Sequence, residues 1–301
     1  MKTAKLVHNP DAGDESHSKK KLIRLIESAG YDCIYQSSKN KSLLRRIEKE
    51  VDFLIVAGGD GTVRTVVKKL LERSLLDKRY PIAVLPMGTA NNISASLGLD
   101  ADQKTIISSW TRCNLRQLDV GKIEDFAPAN FFVEGMGFGV FPRLIKDMKE
   151  VDPSSIDTPK KSLGVAREKL HDIVQTYEAK FCHIEADGRD YSGNYLMVEL
   201  MNIASIGPNL VLAPMADPGD GFFELILIAD SQKDEFISYI EDKQKGKEGM
   251  IDAQVIKAKN VTFKWEGKLA HIDDNLIFME KGQKLKIEML QGVLDFLVLP
   301  S

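Results

Sequence analysis

Residues that could bind phosphate groups occur together at residues 58–62, which read Gly-Gly-Asp-Gly-Thr. The preceding residues 53–57 form a continuous apolar run, which is typical of a buried parallel strand. Apolar residues then recur with helical spacing through residues 63–71. A glycine-rich turn that opens a helix lets backbone N–H groups approach a phosphate closely, and the helix N-terminus carries a partial positive charge. We therefore predict that four of these residues bind the phosphates of a nucleotide: Gly58, Gly59, Gly61 and Thr62.

Asp60 is the charged residue within this turn. A carboxylate beside a polyphosphate repels it unless a cation lies between them, and Mg²⁺ prefers oxygen ligands. Asp60 therefore indicates a nucleotide that binds together with Mg²⁺. The competing interpretation of residues 58–62 is an ordinary tight turn between a strand and a helix.

A second turn of the same kind follows a short apolar strand predicted at residues 81–85. Residues 86–92 read Pro-Met-Gly-Thr-Ala-Asn-Asn, and apolar residues with helical spacing resume after them. Neighbouring strands of an open α/β sheet place such turns side by side at their carboxyl ends, where ligands bind. We therefore add three residues to the predicted nucleotide site: Gly88, Thr89 and Asn91.

The two glycine turns, taken together, resemble those of the diacylglycerol kinase catalytic family, which includes bacterial lipid kinases and sphingosine kinases. The resemblance extends over nearly the whole chain, and the pair of turns is more specific than a single glycine motif. It implies an ATP-dependent lipid kinase that transfers the γ-phosphoryl group to a lipid hydroxyl, such as that of diacylglycerol. The implied ligands are ATP, Mg²⁺ and a membrane lipid substrate.

The resemblance also implies further contacts with the nucleotide. The family begins with an Asn-Pro turn whose asparagine contacts the nucleotide, and Asn9 matches that residue. Threonines that lie near the nucleotide in the family correspond to Ser37 and Ser38. Asn9 is explained equally well as a simple turn former. Arg64, on the first helical turn after residue 62, is close enough in sequence to reach a phosphate, but we favour a solvated side chain.

In the second half of the chain, the resemblance implies a metal site and a general base. The family holds a structural Mg²⁺ with one carboxylate and two backbone carbonyls, and the matching residues are Asp220, Asp217 and Phe222. An Asp-Gly turn without a metal ion would have the same sequence. The family's general base, which acts on the lipid hydroxyl, corresponds to Asp273.

Three residues depart from the family pattern. Asn92 and Asn275 replace acidic residues, and Asp274 replaces a glycine. Because an amide neither neutralises a cation nor takes up a proton, these changes put metal affinity and catalytic rate in question. A non-catalytic nucleotide- or lipid-binding regulator is therefore one alternative function. An NAD kinase-like enzyme is another, because it shares the first turn, although the Asn-Glu pair that it requires is not found after the first domain.

The order of predicted strands and helices divides the chain into two domains. Strands and helices alternate through residues 1–119, including a helix near residues 43–47, which predicts a doubly wound α/β domain with a mostly parallel sheet. Strand follows strand through residues 120–301, for example at residues 130–138 and 251–263, each predicted as one strand. This order predicts a mainly antiparallel β-sandwich domain. A helix at residues 163–177 is expected to cover a sheet rather than to touch a membrane. The last strand, about residues 292–300, is a candidate to pack back on the first domain.

Composition limits the partners and the compartment. The net charge is −3 and 28% of residues are charged, so nucleic acid is not an expected partner. The odd number of scattered cysteines, Cys33, Cys113 and Cys182, is typical of reduced thiols in the cytoplasm. The N-terminus lacks the apolar core of a signal peptide. We therefore expect a cytoplasmic protein that reaches its lipid by peripheral contact with the membrane, and a homodimer is left open.

Overall fold

The computed structural model describes residues 1–12, 18–73, 77–126, 129–156, 158–280 and 282–300, and it divides into two units. The first unit consists of Met1–Leu118 together with Gly292–Ser301, and the second consists of Asp119–Gln291. A domain boundary at residues 119 and 120 remains a prediction. None of the described helices combines the length and the apolar character that crossing a membrane requires.

Strands and helices alternate along the first unit. Its strands are β1 (Lys2–His8), β2 (Tyr31–Ser37), β3 (Val51–Gly58) and β4 (Ile82–Pro86), and β5 (Asn114–Ile123) begins in it. Its helices are α1 (Lys19–Ser28), α2 (Asp60–Leu71), α3 (Asn92–Ser96) and α4 (Gln103–Ser109).

A parallel sheet with the strand order β2-β1-β3-β4 organises the first unit. Strand β3 is apolar and buried along nearly its whole length, as expected of a parallel strand that is covered on both faces. Helix α2 packs its buried residues Val63, Val66 and Val67 inward, and their spacing is helical. The strand order reverses between β1 and β3. A doubly wound sheet binds ligands beside such a reversal, at the carboxyl ends of the strands.

The second unit consists mostly of strands. They are β6 (Phe131–Phe132), β7 (Gly135–Gly139), β8 (Lys180–Ala186), β9 (Arg189–Asp190), β10 (Gly193–Met201), β11 (Ser205–Ile206), β12 (Leu210–Val211), β13 (Phe223–Ala229), β14 (Gln254–Ala258), β15 (Asn260–Trp265), β16 (Leu269–Ile272), β17 (Asn275–Phe278) and β18 (Lys284–Val298). The helices are α5 (Val140–Met148), α6 (Pro159–Thr176) and α7 (Lys233–Gln244), with short 3₁₀ turns at Pro153–Ile156 and Asp230–Gln232.

The strands of the second unit pair in antiparallel fashion in the order β17-β16-β7-β10-β8-β15-β18, and β13 joins β10 to β14. The last strand, β18, has residues in both units. In the second unit it pairs with β15. In the first unit its residue Phe296 lies beside Ile82 of β4 in parallel register.

Strand β13 shows how the second unit forms two apolar cores. Leu225 and Leu227 belong to one buried cluster, together with aromatic residues such as Trp265. The alternate residues Ile226 and Ile228 belong to another cluster, to which α5, α6 and α7 also contribute. Helix α6 therefore covers a sheet, as predicted. The parallel sheet of the first unit and the antiparallel strands of the second confirm the predicted fold class.

Several predicted elements differ in the structure. The helix predicted near residues 43–47 is wrong, because this segment forms turns. Leu44 has a left-handed φ of +51°, and the Gln36 side chain bonds to the Ser42 carbonyl at 3.3 Å. Residues 130–138 and 251–263, each predicted as one strand, contain a break. Helices α5 and α7 were not among the predicted elements.

Candidate active site

The parallel strands of the first unit place the residues that are predicted to bind the nucleotide at one edge of the sheet. Backbone hydrogen bonds join the segments that follow the strands. The N–H of Asn9 donates to the Ala57 carbonyl at 2.9 Å, and the N–H of Met87 donates to the Gly58 carbonyl at 2.9 Å. The structure therefore places these residues at the carboxyl edge of the sheet: Asn9, Ser37, Gly58 to Thr62, and Gly88 to Asn91.

The two glycine turns touch at Gly59 and Gly88. A Cβ atom on Gly88 would lie 2.5 Å from the Cα of Gly59, and a Cβ on Gly59 would lie 2.8 Å from the Cα of Gly88. Both distances are shorter than any that real Cβ atoms normally show, so a side chain at either position would push the turns apart. Glycine at both positions is what allows the two turns to approach each other this closely.

Asp60 links the two turns through its carboxylate. Its Oδ2 accepts the N–H of Asn92 at 3.0 Å, and its Oδ1 accepts the N–H of Ile93 at 3.0 Å. These N–H groups belong to the first turn of α3, where donors have no partner within the helix. Asp60 therefore caps α3 and holds the second turn in place. A bridge from Asp60 to Mg²⁺ remains a prediction.

Gly61 and Thr62 both lie in the first turn of α2, but their surroundings differ. Gly61 is exposed, and beyond its chain neighbours and its own helix backbone the nearest described atom to a Cβ at this position would be in the Arg64 guanidinium, at 3.5 Å. Thr62 is buried, and its side chain packs where a Cβ on Gly58 would otherwise lie. Gly58 thus makes room for Thr62, whereas Gly61 leaves space beside the N-terminus of α2, where anions bind.

Asn91 closes the second turn on itself. Its Oδ1 accepts the N–H of Gly88 at 2.8 Å, and its Nδ2 donates to the Gly88 carbonyl at 3.0 Å. The φ of Asn91 is +53°, a left-handed conformation that asparagine adopts more readily than most residues. Thr89, inside this turn, is exposed. These contacts shape the turn, and the nucleotide contacts of Thr89 and Asn91 remain predictions.

The side chains of Asn9 and Ser37 stabilise the turns in which they lie. Asn9 Oδ1 accepts the N–H of Asp11 at 3.2 Å, and Ser37 Oγ accepts the N–H of Lys39 at 3.3 Å. Asp11 and Lys39 also form an ion pair. These bonds agree with the interpretation of Asn9 as a turn former, and nucleotide contacts of Asn9 and Ser37 remain predictions.

Asp273, in the second unit, lies in the turn between β16 and β17. Its Oδ1 accepts the backbone N–H groups of Val133, Glu134 and Gly135 at 3.1, 2.9 and 3.4 Å. These donors lie at the junction of β6 and β7, so the strand predicted at residues 130–138 is interrupted where its N–H groups turn to this carboxylate. The Asp273 side chain is therefore held in one orientation, as a positioned general base requires.

The residues beside Asp273 that depart from the family pattern are exposed. Asp273 has a left-handed φ of +49°. Asp274 follows it in the turn, and Asn275 begins β17 opposite Ile272. Because both side chains are exposed, their substitution alters the chemistry available near the turn more than the packing of the core.

Asp119 and Asn202 are buried polar residues that the sequence analysis missed. Asp119 Oδ2 accepts the N–H of Gly221 at 2.7 Å. The Asn202 side chain donates to the carbonyls of Asp119 and Val133 at 2.8 and 3.0 Å. These bonds connect the loop that contains Asp220 with the segment that holds Asp273. The sequence signal for Asn202 was a polar residue directly after an apolar strand. This pattern alone was too weak to predict a buried hydrogen-bonding residue.

Asp220, the predicted metal ligand, contacts a lysine. The Nζ of Lys257 lies 2.5 Å from Asp220 Oδ2, and the Phe222 N–H donates to Asp220 Oδ1 at 3.0 Å. The Asp217 carbonyl accepts the Asp220 N–H at 3.2 Å. Among the described residues, no three side chains of His, Cys, Asp or Glu lie close enough together to hold a metal ion. Mg²⁺ in this loop would therefore depend on backbone carbonyls, as the resemblance implies.

Glu224 is a buried carboxylate close to Asp220. Among the residues that the structure describes, neither of its carboxylate oxygens has a hydrogen-bond partner, and its Oε1 is 3.8 Å from Lys257 Nζ. Burial, together with the charge of Asp220, raises the pKa of Glu224 to about 7. Buried carboxylates without hydrogen bonds favour a nearby cation. The carboxylates of Asp220 in the loop and of Glu224 on β13 therefore fit a cation, and Mg²⁺ would compete there with the Lys257 ammonium group.

Replacing Lys257 should reveal this competition. We expect Lys257→Met to make thermal stability more dependent on Mg²⁺ than in the wild type, because the variant lacks the ammonium group that lies against Asp220. Thermal unfolding with and without Mg²⁺ measures the effect, and the double variant Lys257→Met, Asp220→Asn is the control that should remove it. A melting temperature of Lys257→Met that does not respond to Mg²⁺ would show that the loop binds no metal ion.

Glu224 should make the protein less stable at alkaline pH. The folded-state pKa of about 7 lies above the ordinary value of 4.5, so the folded protein holds this proton more tightly than the unfolded chain. The corresponding stability is fully present below about pH 4.5 and is lost as the pH rises through about 7. We expect Glu224→Gln to raise the free energy of unfolding by up to about 3 kcal/mol near pH 8, and by less as the pH falls. Urea unfolding of both proteins near pH 8 and at about pH 4.5 measures the difference. A stability gain of Glu224→Gln that is the same at both pH values would contradict this account.

Two family models match the chain. The model of the diacylglycerol kinase catalytic domain matches residues 3–123. The model described as the YegS C-terminal NAD kinase beta sandwich-like domain matches residues 155–285. The first match covers both glycine turns, and the second covers the loop of Asp220 and the turn of Asp273.

Curated relatives and solved structures agree with these matches. The chain is 26% identical over 271 residues to a diacylglycerol kinase of Bacillus subtilis, which covers 86% of this chain and 84% of that protein. It is 28% identical over 240 residues to a diacylglycerol kinase of Staphylococcus epidermidis, and the match covers 75% of this chain and 70% of that protein. A crystal structure described as a diacylglycerol kinase from Bacillus anthracis superposes with a TM-score of 0.73 at 23% identity. The superposition covers 99% of this chain and 97% of that one. A further structure from that organism superposes with a TM-score of 0.75 at 22% identity, and it covers 99% of this chain and 98% of that one.

Proposed function

This chain belongs to the diacylglycerol kinase catalytic-domain family, and from that premise we propose that it is an ATP-dependent lipid kinase. The proposed reaction transfers the γ-phosphoryl group of ATP to a hydroxyl group of a membrane lipid. Diacylglycerol is the first candidate substrate, because the curated relatives at 26% and 28% identity carry that name.

The contact between Gly59 and Gly88 is the observation that carries the proposal. Two turns that approach this closely place glycine backbone from both turns beside the N-terminus of α2, at one edge of the sheet. The first N–H groups of α3 already bond to Asp60, so the proposed donors lie in the turns and in α2. Helix N-termini and glycine turns bind polyphosphates through backbone N–H groups. ATP with its Mg²⁺ is the ligand that this arrangement suits.

Asp273 supplies the second part of the proposal. Phosphoryl transfer depends on positioning and on charge neutralisation more than on covalent help from the enzyme. A carboxylate that is held by backbone N–H groups is oriented before the substrate arrives. We propose that Asp273 orients the lipid hydroxyl and takes up its proton during the transfer.

A kinase assay with radiolabelled ATP and lipid vesicles tests the proposed function. The lipid panel contains diacylglycerol, sphingosine and monoacylglycerol, and vesicles without a hydroxyl-bearing lipid are the control. We expect Mg²⁺-dependent labelling of a lipid, with diacylglycerol as the first candidate. We also propose peripheral membrane contact, so the protein should sediment with the vesicles that contain its substrate.

Two outcomes would favour other functions. ATP binding without labelling of any lipid would favour a non-catalytic regulator. The amide side chains of Asn92 and Asn275, where the family has acidic residues, favour that alternative. NAD belongs in the panel because the second matching model is described as NAD kinase beta sandwich-like. Labelling of NAD without labelling of any lipid would replace the proposed function.

A further inference from the structure

Glu199 and His271 form a completely buried pair in the second unit. His271 Nε2 lies 2.9 and 2.8 Å from the two carboxylate oxygens of Glu199. The side chains are 0% and 1% exposed, and they lie on β10 and β16. The sequence analysis did not single out either residue. Charged residues are almost never buried to this degree unless they are paired, so the contact calls for an explanation.

The pair requires space that a glycine provides. A Cβ on Gly137, in β7, would collide with the carboxylate group of Glu199. Strand β7 lies between β10 and β16 and pairs Gly137 with both Glu199 and His271. Three neighbouring strands thus each contribute one residue to this position: a glycine, a carboxylate and an imidazole.

The second nitrogen of His271 contacts the residue that we propose as the general base. Its Nδ1 lies 2.7 Å from the backbone carbonyl oxygen of Asp273. A carbonyl only accepts hydrogen bonds, so Nδ1 must carry a proton there. Burial by itself lowers the pKa of His271, but the charge of Glu199 and its hydrogen bond outweigh burial and raise it. Burial raises the pKa of Glu199 as well, so Nδ1 carries one proton and a second proton is held between Nε2 and the Glu199 carboxylate.

This hydrogen bond fixes the backbone at the point from which the Asp273 side chain leaves it. Asp273 has a left-handed φ of +49°, a conformation that is costly for residues other than glycine and persists where its surroundings hold it. The imidazole holds the Asp273 carbonyl at 2.7 Å, and the Gly135 carbonyl accepts the Asp273 N–H at 2.8 Å. With the backbone held on both sides, Oδ1 reaches the N–H groups of Val133 and Glu134.

We propose that Glu199 and His271 are positioning residues that hold the Asp273 carboxylate in the orientation needed for proton transfer. Glu199 orients and neutralises the imidazole, and the imidazole fixes the peptide of Asp273. This inference rests on the proposed function, because it assigns the pair a purpose in the reaction of Asp273. It adds two residues to the active site that do not contact the substrate.

Two double variants test the inference. Glu199→Leu, His271→Leu replaces the pair by apolar side chains, which avoids leaving one charge buried without its partner. Glu199→Gln, His271→Asn removes the charges but keeps an N–H donor near the position of Nδ1. We expect the leucine variant to lower kcat by about 100-fold, the loss expected when a reacting group moves by about 1 Å, with little change in the KM for ATP. The Gln–Asn variant should recover most of the lost kcat.

Hydrogen exchange tests the same inference without any activity. The N–H groups of Val133 and Glu134 bond to Asp273, so their exchange should accelerate in the leucine variant and slow again in the Gln–Asn variant. The N–H of Gly221, which bonds to Asp119, is the internal reference and should not change. Val198→Ala, on the same strand as Glu199, is the control for a general loss of core packing and should keep both kcat and the exchange pattern.

The outcomes separate this inference from the proposed function. A wild type that phosphorylates no lipid overturns the proposed function, and hydrogen exchange still decides whether the pair positions Asp273. A folded leucine variant with wild-type kcat, or with unchanged exchange at Val133 and Glu134, overturns the inference. If the leucine variant does not fold, Glu199→Met, His271→Phe, which also lacks the N–H donor, takes its place. A folded variant with wild-type kcat and exchange overturns the inference, and loss of both, with recovery in the Gln–Asn variant, supports it.

Discussion

Asp273→Asn is expected to lower the turnover number for lipid phosphorylation by about 100-fold or more, with the affinity for ATP nearly unchanged. The proposed base acts on the acceptor hydroxyl and does not hold the nucleotide. The structure makes this substitution mild, because the carbonyl oxygen of asparagine can accept the N–H groups of Val133 and Glu134 as Oδ1 does. Initial rates with lipid vesicles measure turnover, and calorimetry measures ATP affinity.

Asp274→Gly is the matched control for this prediction. It changes the neighbouring carboxylate, which is exposed, to the glycine that the family has at this position. We expect its turnover to stay close to that of the wild type. If turnover survives in Asp273→Asn and collapses in Asp274→Gly, the general base is Asp274 and our assignment is wrong.

Gly61→Val is expected to weaken ATP binding at least tenfold, which corresponds to about 1.4 kcal/mol. The valine side chain would extend from the first turn of α2, where the proposed phosphates lie against backbone N–H groups. The fold should tolerate it, because the nearest described side chain to a Cβ at Gly61 is the flexible end of Arg64, at 3.5 Å. Calorimetry with ATP measures binding, and thermal unfolding checks that the variant is folded.

Two further glycine variants serve as the negative and the positive control for this prediction. Gly164→Val adds the same side chain to α6, where a Cβ would meet no other described part of the chain within 4 Å, and it should leave ATP affinity unchanged. Gly88→Ala should lower both ATP affinity and stability, because its Cβ would meet the backbone of Gly59 at 2.5 Å. Unchanged ATP affinity in a folded Gly61→Val protein would show that the nucleotide binds elsewhere.

The sequence by itself determined the elements around the proposed phosphate site. The apolar run before residue 58 and the helical spacing after residue 62 are local patterns, and both elements have the predicted type. The order of the predicted strands and helices likewise predicted a parallel sheet followed by a mainly antiparallel one. The failure near residues 43–47 is also instructive: Leu43 and Leu44 are buried as a helix pattern suggests, but Gln36 holds the segment in turns. A contact with a side chain on β2 overrode the local pattern.

Only the tertiary structure decided which side chains meet. The motif around Asp60 predicted a metal-linked carboxylate, which remains a prediction. It did not predict that this carboxylate accepts N–H groups more than thirty residues away, at Asn92 and Ile93. Glu199 and His271 are 72 residues apart and meet because β10 and β16 both pair with β7 in one particular register. A shift of that register by one residue would turn each side chain to the opposite face of its sheet. Strand register depends on the packing of the whole sheet, so no short stretch of sequence determines these contacts.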